Sequence, residues 1–417
     1  MRKSHPPPAT PAVAVLGAGI VGACVALVLQ RAGRAVELFD PAPPGSGTTG
    51  GNAGLISADS CMPLALPGQL MQLPGWLMDR DGPLAIAPGT FVREFRWFWL
   101  RLRQAAMPRV LQISDAMRAM HRGALGDYRW LLGEAEFARQ IHTTGQWHVQ
   151  QGITRSRGER VMALLRERQG LQVETVGGAE LHARLPGLAK QLQLGLLYHA
   201  NAHATDPMQL ARALVDRFVA EGGQHHELSA SALRTSGTAG LVVSTPTGER
   251  RFDQVVVCAG PHSRGLLRPL GLRLPLVGER GYYVQLAAQA GVPSLPVLFR
   301  DAGFVLTPMA QGPRLAGKVD FGPPNMVRAH AMLRQAQTLW PTLRAEGAKF
   351  WTGERPSTPD NLPILGAVDT VPGLFLACGH GHYGLTAAPM SARLVAAAMG
   401  LGTAPIDARP YALVRFA

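Results

Sequence analysis

Residues 12–40, AVAVLGAGIVGACVALVLQRAGRAVELFD, constrain the fold more than any other stretch of this chain. The apolar run 13–16 reads as a buried strand. It passes directly into Gly17, Gly19 and Gly22, spaced as G-x-G-x-x-G with Ile20 and Val21 inside the loop. An apolar helix follows, and a second strand, 35–39, ends on Asp40. Each part has a physical job in binding a dinucleotide. Gly17 permits the tight turn, Gly19 lets the backbone approach a pyrophosphate, and Gly22 lets helix and strand pack closely. The helix N-terminus offers free N–H groups and a positive dipole end. An acid at Asp40 suits the hydroxyls of an unphosphorylated ribose, as in NAD or FAD, better than NADP. The alternative is an ordinary β-α-β unit that binds nothing.

At 417 residues the chain exceeds one ordinary core, so two domains are expected, and 47% hydrophobic residues supply them. The net charge of +13 rests on arginine, because Lys3, Lys190, Lys318 and Lys349 are the only lysines. Such a charge suits an anionic partner: acidic lipid, nucleic acid or a carboxylate substrate. A solvated arginine surface is the other reading. No DNA- or RNA-binding signature is present, so no nucleic-acid partner is expected. Cys24, Cys61, Cys258 and Cys378 are scattered without a CxxC pair. They suggest neither a disulfide framework nor a metal site, and a reducing, cytoplasmic compartment fits. The apolar stretch after Met1-Arg2-Lys3 imitates a signal peptide, but its glycines fall at the fingerprint spacing. Residues 1–11, rich in proline, read as a disordered lead-in.

Further along, 41–54 is glycine-rich and reads either as a loop that approaches a ligand or as a surface linker. From 63 to 89 proline and glycine suggest an excursion from the first domain. Residues 91–103 read as one basic, aromatic helix, with Phe91, Phe95, Phe98 and Leu102 on one face and Arg93, Arg96, Arg101 and Arg103 largely elsewhere. Such a helix either lies in a membrane interface or packs its aromatics on the core. Helical patterning continues to about 140, and 146–150 reads as a strand. Asp206 and Pro207 suit the N-cap and first position of a helix over 208–221. Residues 254–257 form a buried strand that runs into a turn at Gly260. Antiparallel strands are expected between 277 and 309 and a helix over 329–339. Near the end, a strand at 374–377, a glycine loop and a helix over 387–399 repeat the strand–loop–helix plan.

Four blocks together make the chain resemble the FAD-dependent D-amino acid oxidase superfamily, and within it the bacterial D-amino acid dehydrogenases. They are GAGIVG with Asp40, TTGGNAG at 48–54, VVVCAG at 255–260, and the C-terminal pair WTGERPSTPD and GHGHYGLT. The resemblance implies an α/β fold with an FAD-binding Rossmann-like domain and a mixed, mainly antiparallel substrate-binding domain. The expected division assigns 1–62, 200–273 and 350–417 to FAD, and 63–199 and 274–349 to substrate. By position, Gly17, Gly19, Ile20, Val21 and Gly22 would hold the pyrophosphate and Asp40 the ribose. Thr48, Asn52 and Gly54 would lie along the flavin end, near the turn at Gly260. Gly381, Tyr383, Gly384, Leu385 and Thr386 would present N–H groups to the flavin's pyrimidine edge, where reduction gathers negative charge.

Arg355 would grip the substrate carboxylate, since a planar guanidinium matches it bidentately. The competing reading is an ion pair with Glu354 or Asp360. Of Tyr282 and Tyr283, strand alternation sends one to the pocket and the other away. His380 and His382 read equally as pocket residues or as polar loop groups. Lys318 stands where many relatives have an uncharged or acidic residue, and would either approach the flavin or substrate or face solvent. Relatives with covalent flavin carry a cysteine just before RPxTPD, and 348–351 has none, so FAD should be non-covalent.

The expected reaction is dehydrogenation of a D-amino acid to an imino acid, with a quinone or the respiratory chain as electron acceptor. The alternatives are a cyclic secondary amine such as cis-4-hydroxy-D-proline, a glycine/sarcosine-type oxidase, and a non-catalytic flavin module attached to a membrane.

Overall fold

The computed structural model of the chain describes residues 12–67, 79, 82–152, 157–237 and 240–416. The expected lead-in at 1–11 lies outside these, as do residues 68–78, 80 and 81 of the proline- and glycine-rich stretch at 63–89.

The opening unit folds as its pattern requires. Strand β1 (Ala12–Leu16), helix α1 (Ile20–Arg31) and strand β2 (Ala35–Phe39) are consecutive, and β1 and β2 pair in parallel. Every residue of α1 from Ile20 to Leu29 is buried. An all-apolar helix needs cover on all sides. Helices Pro207–Ala220 and Gly384–Ala398 contribute Leu210, Leu214, Phe218, Ala388 and Ala392 to the core it shares with β1. The sheet has six strands in the order Gln224–His226, β2, β1, Gln254–Val257, Leu374–Cys378, Ile364–Ala367. The first five run parallel and the last is antiparallel. Their carboxyl ends face the glycine turns, where open α/β sheets bind ligands.

The second sheet is nine-stranded and mixed, mainly antiparallel. The part that matters for the site comprises strands β3 (Val277–Gln285), β4 (Gly312–Phe321) and β5 (Lys349–Ser357), with β3 in the middle. Helix Met326–Leu339 packs Ala329, Met332 and Ala336 against Tyr282 and Val284 of β3, which leaves the other face of β3 and β5 for the site.

Two stretches fall across the expected division. β5 joins the nine-stranded sheet, although 350–357 was expected with FAD. Helices Met107–His121 and Ala124–Leu132 bury Ile113, Met117, Tyr128 and Leu131 in the core of α1, although 63–199 was expected with substrate.

The single helix expected at 91–103 is two helices, Pro88–Arg93 and α2 (Phe95–Arg103), broken at Glu94. Glu94 leaves helical geometry at φ −106°, ψ 22°, and its carboxylate takes an ion pair from Arg264 at 3.0 Å. The break turns Trp97 inward, 3% exposed, against Phe321, while Phe95 and Trp99 are 56% and 52% exposed. Phe91 and Leu102 are exposed too, so most of the expected apolar face points to solvent and not to the core. Arg101 leaves the expected surface group and turns inward with Trp97, 5.4 Å from its ring. Elsewhere Asp206 and Pro207 take the expected N-cap and first position of helix Pro207–Ala220, with Asp206 Oδ1 accepting from Met208 N and Gln209 N.

Candidate active site

The glycine loop and the C-terminal turn bound one cleft of about 920 Å³ at the carboxyl end of the parallel sheet. Gly17, Gly19, Ile20, Val21, Asp40, Thr48, Asn52, Gly260, Gly381, Gly384 and Leu385 all line it. At one end Asp40 organises the loop, accepting from Ala18 N at 2.7 Å and Ala42 N at 3.0 Å. Gly19 caps α1 but has no side chain to do so, and Thr49 supplies the hydroxyl, accepting from Ile20 N at 3.0 Å. Nothing in the residue pattern singled out Thr49, because the contact spans 29 positions. Gly260 sits at φ +54° with open space where a Cβ would stand, so the cleft wall there is bare backbone. A glycine-walled cleft with a helix N-terminus and an acid beside it fits a dinucleotide such as FAD.

Four expected cofactor residues act from behind the wall. A Cβ on Gly22 would stand 1.7 Å from Gly17 O, so Gly22 sets the close packing of helix and strand. Gly54, at φ +79°, lies against strand Ala202–Ala204, and its carbonyl accepts from Ala204 N at 2.8 Å. Thr386 is buried and its hydroxyl accepts from Ser57 N. The Tyr383 ring lies 5.1 Å from that of His121, and its hydroxyl donates to Met62 O at 3.4 Å.

The other end of the cleft is built by strand register. β3 and β5 pair antiparallel with Glu279 opposite Arg355, Gly281 opposite Gly353 and Tyr283 opposite Trp351. Directly opposite residues share a face. Tyr283 stacks on Trp351 at 5.0 Å, and Arg314 caps the tyrosine at 4.3 Å. The two glycines make room. A Cβ on Gly281 would stand 2.2 Å from the Arg355 guanidinium, and one on Gly353 2.1 Å from the Trp351 ring. Tyr282 goes the other way. It is buried under helix Met326–Leu339 and its hydroxyl donates to Asp320 at 2.6 Å, which removes it from the pocket face.

Arg355 donates from Nη1 to Lys318 O at 3.3 Å and keeps a fifth of its side chain accessible. Neither expected ion-pair partner holds it, because Glu354 pairs with Arg280 and Asp360 with Arg415. Its nearest acid is Glu279, 3.7 Å away. Glu279 is 1% exposed and carries three contacts. Ser357 Oγ donates to its Oε2, His382 Nε2 meets its Oε1, and Arg355 approaches the same Oε1. Burial pushes its carboxyl up, but the charges of His382, Arg355 and Arg101 outweigh burial and hold it at about 2. Sequence reading did not mark Glu279; only the register with Arg355 gives it meaning.

The two loop histidines separate. His382 reaches Glu279 at the site, whereas His380 is buried under the last helix beside Ser391 Oγ at 3.0 Å. Burial lowers His380 to about 3, so it is neutral, and it borders the glycine-walled cleft, whose lining does not include His382. Lys318 neither faces solvent nor directs its ammonium to the cleft. It is buried, at φ 58°, with Nζ donating to Ala302 O and Gln335 Oε1.

A family model described as "DAO: FAD dependent oxidoreductase" matches residues 12–398. The chain is 32% identical to a D-amino-acid oxidase of Bradyrhizobium diazoefficiens over 97% of its length and 98% of that protein. It is 31% identical to a D-amino acid dehydrogenase of Rhizobium johnstonii, covering 97% and 99%. Among solved structures, glycine oxidase from Geobacillus kaustophilus superposes with a TM-score of 0.71 at 22% identity, covering 97% and 99% of the two chains. L-proline dehydrogenase from P. horikoshii does so with 0.72 at 15%, covering 98% of each. The last two show the fold. The glycine-walled cleft and the two relatives agree: this chain belongs to the DAO family of FAD-dependent oxidoreductases and is of the amino-acid oxidase and dehydrogenase type.

Proposed function

We propose that the protein dehydrogenates a D-amino acid to its imino acid, and that Arg355 binds the substrate carboxylate. The observation that carries this reading is the Arg355 fork, free of Glu354 and Asp360, on the face that also bears Glu279, Tyr283 and Trp351. A guanidinium takes a carboxylate through two parallel charge-assisted hydrogen bonds, which fixes the α-carbon next to it. Bound FAD supplies the hydride acceptor. Gly17, Gly19 and Asp40 would hold its adenosine end, and the turn from Gly381 would lie at its pyrimidine edge, with no acid in the first turn of the following helix to oppose negative charge. Tyr283, stacked on Trp351, forms an apolar wall that excludes water from the α-carbon. His382, fixed on Glu279, borders the place where the substrate amine would lie. No further side-chain base is required when the amine enters neutral.

FAD is proposed to be non-covalent, since residues 348–351 lack cysteine and all four cysteines are buried. We place the protein in the cytoplasm with a quinone as acceptor. No helix among the described residues is long and apolar enough to cross a membrane. Peripheral contact through α2 is supported by its exposed Phe95 and Trp99 between Arg93, Arg96 and Arg103.

Anaerobic mixing of the holoenzyme with D-amino acids, their L-forms, D-proline derivatives, glycine and sarcosine tests the reading. Bleaching of the flavin by D-amino acids supports it. Bleaching only by L-forms, only by cyclic or N-methyl amines, or by none overturns it.

A further inference from the structure

Arg101 turns its guanidinium inward over Trp97, with Nη1 buried. One turn before it, Trp97 donates Nε1–H to Ser357 O at 3.1 Å. Ser357 is the residue whose hydroxyl donates to Glu279. The Arg101 guanidinium lies over the Trp97 indole, so α2 brings both side chains close to Glu279, the acid opposite Arg355. The acids whose charges act on Arg101 there are Glu279 and Asp360.

Arg101 Nη1 is buried and has no hydrogen-bond acceptor among the described residues. A desolvated donor of a cation left in this state is costly, and such a group is ordinarily completed by a protein acceptor, an ordered water or a bound ligand. The neighbouring acids do not complete it. Asp360 gives both oxygens to Arg415, at 2.8 and 3.1 Å. Glu279 is already divided between Ser357, His382 and Arg355. Glu354, the other acid close by on β5, is taken by Arg280.

We infer that Arg101 is a specificity residue that binds a side-chain carboxylate, and that the substrate class is an acidic amino acid, an amino dicarboxylate. The inference rests on the amino-acid reading above and on Arg355 as the α-carboxylate clamp. The substrate is then held at both ends, by one guanidinium from β5 and one from α2. A neutral side chain of the same length leaves the buried Nη1 without an acceptor.

The test titrates the FAD-loaded protein with succinate and glutarate, and with butyrate and valerate, which lack the second carboxylate. Calorimetry and the flavin absorbance change report binding without turnover. One added charge-assisted contact corresponds to about tenfold or more in Kd. The parent should therefore bind the dicarboxylates at least about tenfold tighter than their monocarboxylate partners. Arg101→Gln should bring that ratio to within about twofold, and Arg101→Lys should recover part of it. A parent ratio near one overturns the inference, as does a ratio that survives in Arg101→Gln. If Arg101→Gln fails to fold or to retain FAD, the parent ratio and Arg101→Lys decide. If no amino acid bleaches the flavin, the proposed reaction falls, while the ligand ratio still decides the role of Arg101.

Discussion

Glu279 and Arg355 stand opposite one another on two antiparallel strands, with Oε1 and Nη1 3.7 Å apart, too far for a hydrogen bond and close enough for their charges to interact. The carboxylate is buried and the guanidinium is partly accessible, so the pair keeps its cation toward the ligand and its anion toward the protein.

The first prediction follows from the depressed carboxyl of Glu279. Its folded value, about 2, lies below the roughly 4.3 of an unfolded glutamate. Between these values the unfolded chain binds the extra proton, so stability rises with pH there and is complete above about 4.3. Glu279→Gln removes the buried anion and leaves the partly buried Arg355 and Arg101 without it, a loss on the order of 3 kcal/mol near neutral pH. Denaturant unfolding at pH 7, 4 and 3 should show the gap between parent and variant narrowing as pH falls. A gap independent of pH would mean that the charge of Glu279 stabilises nothing.

Arg355→Met should lower kcat/KM by roughly 2–5 kcal/mol, because a substrate carboxylate is left without its partner in a desolvated site. Arg355→Lys keeps the charge and loses the fork, so it should recover only part. Simple carboxylate inhibitors should weaken in step, while the FAD-to-protein ratio stays near that of the parent. Stopped-flow flavin reduction at low substrate is the measurement. A variant that reduces as fast as the parent rules out Arg355 as the clamp, and one that loses FAD points to a structural role.

Gly22→Ala places a methyl 1.7 Å from Gly17 O and 3.3 Å from Cys258 Cβ. Backbone must move, and the part that moves is the loop between β1 and α1. Flavin content should fall together with the melting temperature, and added FAD should restore only some of both. A variant with full flavin and an unchanged melting temperature would show that the loop tolerates the shift.

The flavin itself should leave with acid. Precipitation of the yellow protein should release FAD into the supernatant, since no cysteine precedes the Arg355 block. Colour that stays with the washed pellet would contradict non-covalent binding.

The exposed side of α2 should bind anionic vesicles. Phe95→Ser with Trp99→Ser should abolish sedimentation with phosphatidylglycerol vesicles. Arg93→Gln with Arg96→Gln and Arg103→Gln should weaken it and reduce its salt sensitivity. Arg101 is left out of this set because it points inward. Absence of vesicle binding by the parent would overturn the interfacial reading of α2.

The sequence by itself determined what local pattern can determine. The run from Ala12 to Asp40 set strand, turn, helix and strand within a residue, because apolar period and glycine spacing act over short distances. The helix starting at Pro207 was legible from its cap, and the C-terminal loop from its glycines. Arg355 was visible only through a block resemblance, which carries no information about its partners. What tertiary structure decided was pairing between distant segments. The β3–β5 register set Glu279 against Arg355, put Tyr283 on Trp351 of the cleft wall and sent Tyr282 to the core. The break at Glu94, held by Arg264 from 170 positions away, turned Arg101 inward and Phe95 and Trp99 outward. A helical wheel fixes which residues share a face. It does not fix which face meets the protein, because that depends on the free energy of contacts with segments far along the chain.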